Sequence, residues 1–169
     1  MKTVSRSSKL FVSAAAALLV MALGAGMALG VTSPDQTRET YVAQVEPICK
    51  SNTKTTERLL GGVRKQVQEG KLQAAGRKVA SAAASSGKTV KQLKRVPQPV
   101  ADAAKLGKWI GFLEKERKLL SELSQALKAE KESLVSLLTI KLTRNGNQAN
   151  NTVLGFEFKY CLIPTDQFN

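Results

Sequence analysis

From about residue 34 onward, apolar side chains recur at steps of three and four, and the pattern breaks cleanly at only three places: Gly70, "VPQPV" (96–100), and Glu130–Lys131. That spacing marks one face of an α-helix. A chain carrying it must bury several such stripes against one another, which restricts it to packed helices. Ala, Leu, Lys, Gln and Glu dominate these segments and are strong helix formers. Runs of β-branched residues with period-two alternation are nearly absent.

The breaks divide the chain into four predicted helices. The first runs from Pro34 or Asp35 to Glu69, with Tyr41, Val45, Ile48, Asn52, Thr55, Leu59, Val63 and Val67 on one stripe that is polar in its middle. Pro47 lies inside it, and its ring clashes with the carbonyl of Ala43, so a kink or a division is expected there. The part before Pro47 then reads as a short arm. Gly70 supplies the stop. The second helix spans Lys71 to Arg95, with Leu72, Ala75, Val79, Ala82, Ser86, Val90 and Leu93 on a narrow, Ala-rich face. The third spans Pro99 to Lys128 and carries Leu106, Ile110, Leu113, Leu120, Leu123 and Leu127. Ala103, Gly107 and Gly111 form a small-residue stripe beside them. The fourth begins near Glu130 or Lys131 and carries Leu134, Leu138, Leu142, Ala149 and Val153. Its second half, "RNGNQANN" (144–151), is weak helix sequence.

Short connections make successive helices antiparallel, so the expected fold is all-α, an up-and-down four-helix bundle. That path returns the chain to the end where it started. It brings the start of the first helix beside the segment after the fourth, and so Cys49 beside Cys161, the only two cysteines. A bridge between them is expected to clamp that end. By the chain-entropy model, closing a loop of over a hundred residues is worth about 4–5 kcal/mol. The tail "GFEFKYCLIP" (155–164) crowds Phe156, Phe158 and Tyr160 into a few residues. Their alternation suits an extended segment, while Phe156, Tyr160 and Ile163 suit a helix. The rings either cap the bundle around the bridge or form an aromatic recognition platform.

The N-terminus sets the compartment. Lys2, Arg6 and Lys9 precede a charge-free apolar run, Leu10 to Gly30, which closes on Ala28-Leu29-Gly30. This is the pattern of a secretory signal peptide over residues 1–30, followed by one helical domain over 31–169. The 21 residues of the apolar run are also long enough to span a bilayer core of roughly 30 Å, so an uncleaved anchor through residues 10–30 is the alternative. Both place the domain outside the cytoplasm, where disulfides form.

"YVAQVEPIC" near the start, the "VPQP" break before a Trp-bearing helix, and "NQANNTVLGFEFKYC" near the end resemble a group of uncharacterised secreted bacterial helical proteins. These pair an N-terminal helix Cys with a C-terminal Cys after a Gly-aromatic segment. The resemblance covers most of the chain beyond the leader and implies the same fold and bridge. It implies no activity.

The missing residue types exclude much chemistry. The chain has no His, and its three Met all fall within residues 1–30. Imidazole acid–base catalysis, His-based triads, Glu-x-x-His metal bundles and Met/His haem or copper ligation are therefore not expected. "LLGGV" (59–63) lacks the strand and the Lys of a phosphate-binding loop. No cofactor or metal is expected. Glu114, Glu116, Glu122, Glu130 and Glu132 alternate with Lys115, Arg117, Lys118, Lys128 and Lys131, which reads as a solvated, salt-bridged face with Arg117 near the stripe. A Glu-based glycan hydrolase would have to draw on these carboxylates. Trp109 reads as a core ring or as the floor of a small pocket.

Charge is the remaining signal. The net charge is +13, and removing the three leader cations leaves +10 beyond residue 30. Lys50, Lys54, Arg58, Arg64, Lys65, Lys71, Arg77, Lys78, Lys88, Lys91, Lys94 and Arg95 crowd the first two helices. Against them stand only Glu46, Glu57 and Glu69. Such a face either keeps an Ala-rich bundle soluble or meets an anionic partner. Export makes nucleic acid an unexpected partner and favours lipid headgroups, wall polymer or an envelope protein. The sequence therefore points to a non-enzymatic exported bundle whose contact residues are Lys50, Lys54, Arg58, Arg64, Lys65, Arg77, Lys78, Lys91, Lys94 and Arg95. The alternative is a small-ligand carrier or sensor with an apolar cavity between its Ala- and Gly-rich helices.

Overall fold

Thr37 starts the first helix: its Oγ1 accepts the Thr40 backbone N–H at 3.2 Å, satisfying one of the donors that a helix N-terminus leaves free. The computed structural model describes residues 36–165. The expected signal peptide over residues 1–30, and the alternative anchor through residues 10–30, lie outside the described residues. Helix α1 (Arg38–Leu60) runs unbroken through Pro47 rather than dividing there. It ends instead at Gly61-Gly62, where Gly62 takes φ 77°, a left-handed backbone open to glycine at little cost. The expected helix to Glu69 is thus two helices, the second being α2 (Val63–Gln68). The Lys78 ammonium donates to the Gly61 carbonyl at 2.7 Å and covers that helix end.

Helix α3 (Leu72–Leu93) and helix α4 (Ala103–Lys128) flank the proline break, which holds a 3₁₀ turn at Val100–Asp102. Glu130 adopts φ 54° and stops α4, with Lys131 N–H bonded to the Ala126 carbonyl across the turn. Helix α5 (Glu132–Thr152) continues straight through "RNGNQANN". Tertiary contacts supply what local propensity lacks. Asn145 Nδ2 donates to the Phe112 carbonyl at 2.9 Å, and Ala149 is fully buried. Asn150 accepts from and donates to the backbone of Ile163 at 2.8 and 2.9 Å.

The chain is therefore an all-α bundle of four long helices, α1, α3, α4 and α5, with the short α2 lying on α3. Helix α3 packs on α1 and on α4, and α4 packs on α5. The seam between α1 and α5 is filled by the tail. After a 3₁₀ turn at Leu154–Phe156, the tail passes along α1 through bends over residues 159–162. The Glu46 carboxylate accepts the backbone N–H groups of Lys159 and Tyr160 at 3.0–3.2 Å, and Thr53 Oγ1 donates to the Tyr160 carbonyl at 3.2 Å. On the α5 side, Gly146 admits the tail, because a Cβ there would lie 2.8 Å from Thr165 Cγ2 and 3.0 Å from Ile163 Cγ2. Cys49 and Cys161 form the disulfide, 112 residues apart. Oxidising compartments preserve bridges of this kind.

Phe156 and Phe158 are buried, and Phe158 lies 5.2 Å from the ring of Trp109, itself fully buried. The rings thus belong to the core rather than to an exposed platform. The tail is neither the extended segment nor the helix: Phe156 closes the 3₁₀ turn, Glu157 takes φ 54°, and the Phe156 and Phe158 rings lie 5.3 Å apart, both buried. At the start of α1, the Arg38 guanidinium forks onto both oxygens of Asp102 at 2.8 and 2.9 Å and lies 4.9 Å from the centre of the Phe156 ring. That pairing holds the Asp102 carboxyl below its ordinary pKa.

The core is in two parts. One apolar cluster surrounds Trp109, with Tyr41, Val45, Leu93, Leu106, Val153 and the tail rings. The other surrounds Leu123, with Val63, Val79, Leu120, Leu127, Leu138 and Leu142. Asn52, Thr53 and Thr56 of α1, Ser86 and Thr89 of α3, and Glu116 of α4 line a cavity between them. The polar middle of the first stripe is one side of this layer. Among the described residues, no helix is long and apolar enough to cross a membrane.

Candidate functional site

The sequence-predicted cations separate into distinct surroundings. Lys50 lies over the tail's Tyr160 ring at 5.1 Å, on the α1–tail seam. Lys54 and Arg58 continue its row along α1 at steps of four and are exposed. Arg64 lines a cleft between α2, α4 and α5, and Lys65 pairs with Glu69 at 3.8 Å. Lys78 is taken up by the Gly61 carbonyl. Arg77 and Arg95 are exposed near opposite ends of α3. The structure does not gather all ten into one face.

It does gather Lys91 and Lys94 with three cations that the sequence reading left out of the contact set. On their outer side, helices α3 and α4 flank an open groove of about 760 Å³. Its walls carry Lys88, Lys91 and Lys94 from α3, and Arg117 and Lys118 from α4. Its α3 side carries Ala80, Ala83, Ala84 and Gly87, so little side-chain bulk fills it. Gly87 faces the Arg117 stem, since a Cβ there would lie 2.9 Å from Arg117 Cδ. The groove's one acid, Glu114, is hydrogen-bonded to Lys94, which lowers its carboxyl pKa. Among the described residues, no carboxylate lies within 4 Å of the Lys88, Lys91, Arg117 or Lys118 charge. Four unpaired cations from the two helices that flank one groove make a positive field that suits an extended anion.

The carboxylates also divide. Glu122, Glu130 and Glu132 are exposed, as a solvated face requires. Glu116 is not on that face. It points to the polar layer, where burial pushes its carboxyl pKa up to about 7. Arg117, read as nearest the stripe, is exposed. The signal for Glu116 was present, because steps of three and four from Leu113 to Leu120 pass through residue 116. Gly107 and Gly111 face open space rather than a packed neighbour. The described residues hold no group of three His, Cys, Asp or Glu side chains arranged for a metal ion.

Comparison with known proteins adds no assignment: no family model, curated protein or solved structure matches this chain.

Proposed function

We propose that the protein is a non-enzymatic, exported helical bundle that binds anionic polymer at the cell envelope, with the α3–α4 groove as its contact. The observation that carries this reading is the groove itself, with Lys88, Lys91, Arg117 and Lys118 unpaired around an Ala/Gly-rich wall. Repeated phosphate or carboxylate groups on a flexible chain can meet successive cations there, and the missing side-chain bulk lets the backbone of such a polymer approach. The secretory pattern of residues 1–30 and the Cys49–Cys161 bridge support the location.

The test is binding of the mature protein to long-chain polyphosphate across a salt series. Affinity is expected to fall steeply with ionic strength, as for other phosphate polymers bound through cations. The triple variant Lys88→Gln/Lys91→Gln/Arg117→Gln is expected to bind about tenfold or more weakly. Lys50→Gln/Lys54→Gln, on the other seam, should stay within about twofold of the parent, since it leaves the groove's charges in place. Equal losses in both variants would assign the effect to net charge. Binding to vesicles of anionic lipid but not to the polymer would move the contact to a membrane surface.

A second reading, a carrier of a small apolar ligand, has one observation in its favour. A cleft of about 140 Å³ lies between α2, α4 and α5, lined by Val63, Val67, Leu123, Leu127 and Val135. The cleft is open on one side, where Arg64, Gln68 and Thr139 also line it. Its place differs from the Ala- and Gly-rich interface where the sequence pointed. Native mass spectrometry of several preparations checks it: a recurring added mass supports the carrier, and a bare protein mass removes it.

A further inference from the structure

The polar layer between the two apolar clusters contains the Glu116 carboxyl, which has no counter-charge among the described residues. Among the described residues, no Lys or Arg lines the cavity and Glu116 forms no ion pair. Burial alone accounts for the direction of its pKa shift, with no neighbouring charge offsetting it. A carboxyl group in such a place either keeps its proton or needs a cation beside it.

The cavity has room for one. Its volume is about 50 Å³, several times the roughly 10–15 Å³ that admits a single water. Leu162 and Pro164 line it and are exposed, so the space reaches the surface beside the tail. The hydroxyls around it are biased toward acceptance. Thr53 Oγ1 spends its proton on the Tyr160 carbonyl, and Thr89 Oγ1 spends its proton on the Ser85 carbonyl. Each then offers only lone pairs to anything else. Thr56 Oγ1 is buried with no partner, as is Nε1 of the fully buried Trp109. One carboxylate without a set of three ligating side chains is not a metal centre. Lone pairs from several sides with one negative charge suit a cation that donates hydrogen bonds.

We propose that this cavity is a binding site for a small primary ammonium ion, whose charge offsets the Glu116 carboxylate and whose N–H groups donate to Thr53, Thr56 and Thr89. The Trp109 N–H is a donor of the kind a carboxylate oxygen accepts. The site is independent of the α3–α4 groove, and anionic polymer has no place in it.

Thermal unfolding of the disulfide-intact protein tests this at about pH 8.5, where a primary amine remains protonated. The melts are run in methylammonium, potassium and tetramethylammonium chloride at one ionic strength. Tetramethylammonium has the same charge, more bulk and no N–H donor. The expected result is a midpoint higher by about 3 °C or more in methylammonium than in tetramethylammonium, saturating with concentration. Glu116→Gln should lose the difference, and Thr89→Val should reduce it, which keeps the test available if one variant fails to fold. Equal midpoints in all three salts overturn the proposal, and so does a difference that survives in Glu116→Gln. A potassium effect equal to that of methylammonium overturns the hydrogen-bonded ammonium in favour of charge alone.

Discussion

Burial raises the Glu116 carboxyl pKa from its ordinary 4.5 to about 7, so folding works against its ionisation. Below about pH 4.5 both folded and unfolded chains hold the proton, and the residue is neutral in its effect. Between about pH 4.5 and 7 the unfolded chain ionises while the folded one does not, and stability falls. Above about pH 7 the whole penalty is in place, at most about 3 kcal/mol. Glu116→Gln is therefore expected to be more stable than the parent at pH 8 and to converge with it near pH 4. Urea unfolding in tetramethylammonium buffer at both pH values measures this. The residue was legible only in part. Its position on the apolar stripe could be read from Leu113 and Leu120, but its charged neighbours Lys115 and Arg117 make the segment look like open surface. Only packing decides which of three adjacent charged residues turns inward.

At the scale of elements, the periodic parts of the chain were readable and the compensated parts were not. Helices α3 and α4 follow their stripes because apolar burial sets both their length and their rotation. Gly61-Gly62 ended α1 early, although the stripe itself carried on to Val63 and Val67. The second half of α5 is the reverse case, a weak helix former that tertiary bonds make helical. Asn145 serves the Phe112 carbonyl of α4, Gly146 and Asn150 serve the tail, and no local pattern announces partners that arrive from residue 112 or from residues 163–165. Gly146→Ala should expose the importance of this seam. Its Cβ would meet Ile163 and Thr165, so the tail must shift although alanine favours the helix. A net loss of about 1–3 kcal/mol is expected, with faster proteolysis between 154 and 165 as the local readout. If the variant gains stability with an intact tail, the close approach of tail and helix is not a constraint.

For the whole molecule, the antiparallel path foretold the meeting of Cys49 and Cys161, because helix order alone fixes which ends are neighbours. It did not foretell that the tail would lie along a seam instead of across an end. The bridge closes a loop over the sequence separation of 112, which in the chain-entropy model is worth about 4.7 kcal/mol. The double variant Cys49→Ser/Cys161→Ser is expected to lose up to that amount in guanidinium unfolding, with the four helices still present by circular dichroism. Retained stability would mean that the Glu46, Thr53 and Asn150 bonds hold the tail without the bridge. The α3–α4 groove was legible as charge but not as shape. Counting Lys and Arg found the basic half of the chain, whereas which cations share one groove depends on how two helices pack.

The placement of the tail has a consequence for the order in which this fold is assembled. Synthesis proceeds from the N-terminus, and Phe156, Phe158, Cys161 and Ile163 are core residues carried near the end of the described chain. Until they emerge, the α1–α5 seam is unfilled and Trp109 lacks its Phe158 neighbour. The growing chain can form helices, but it cannot close its core around Trp109 or make its only bridge. Closure of this core is thereby tied to the synthesis of residues 156–163, and every helix before them waits with an unfilled seam.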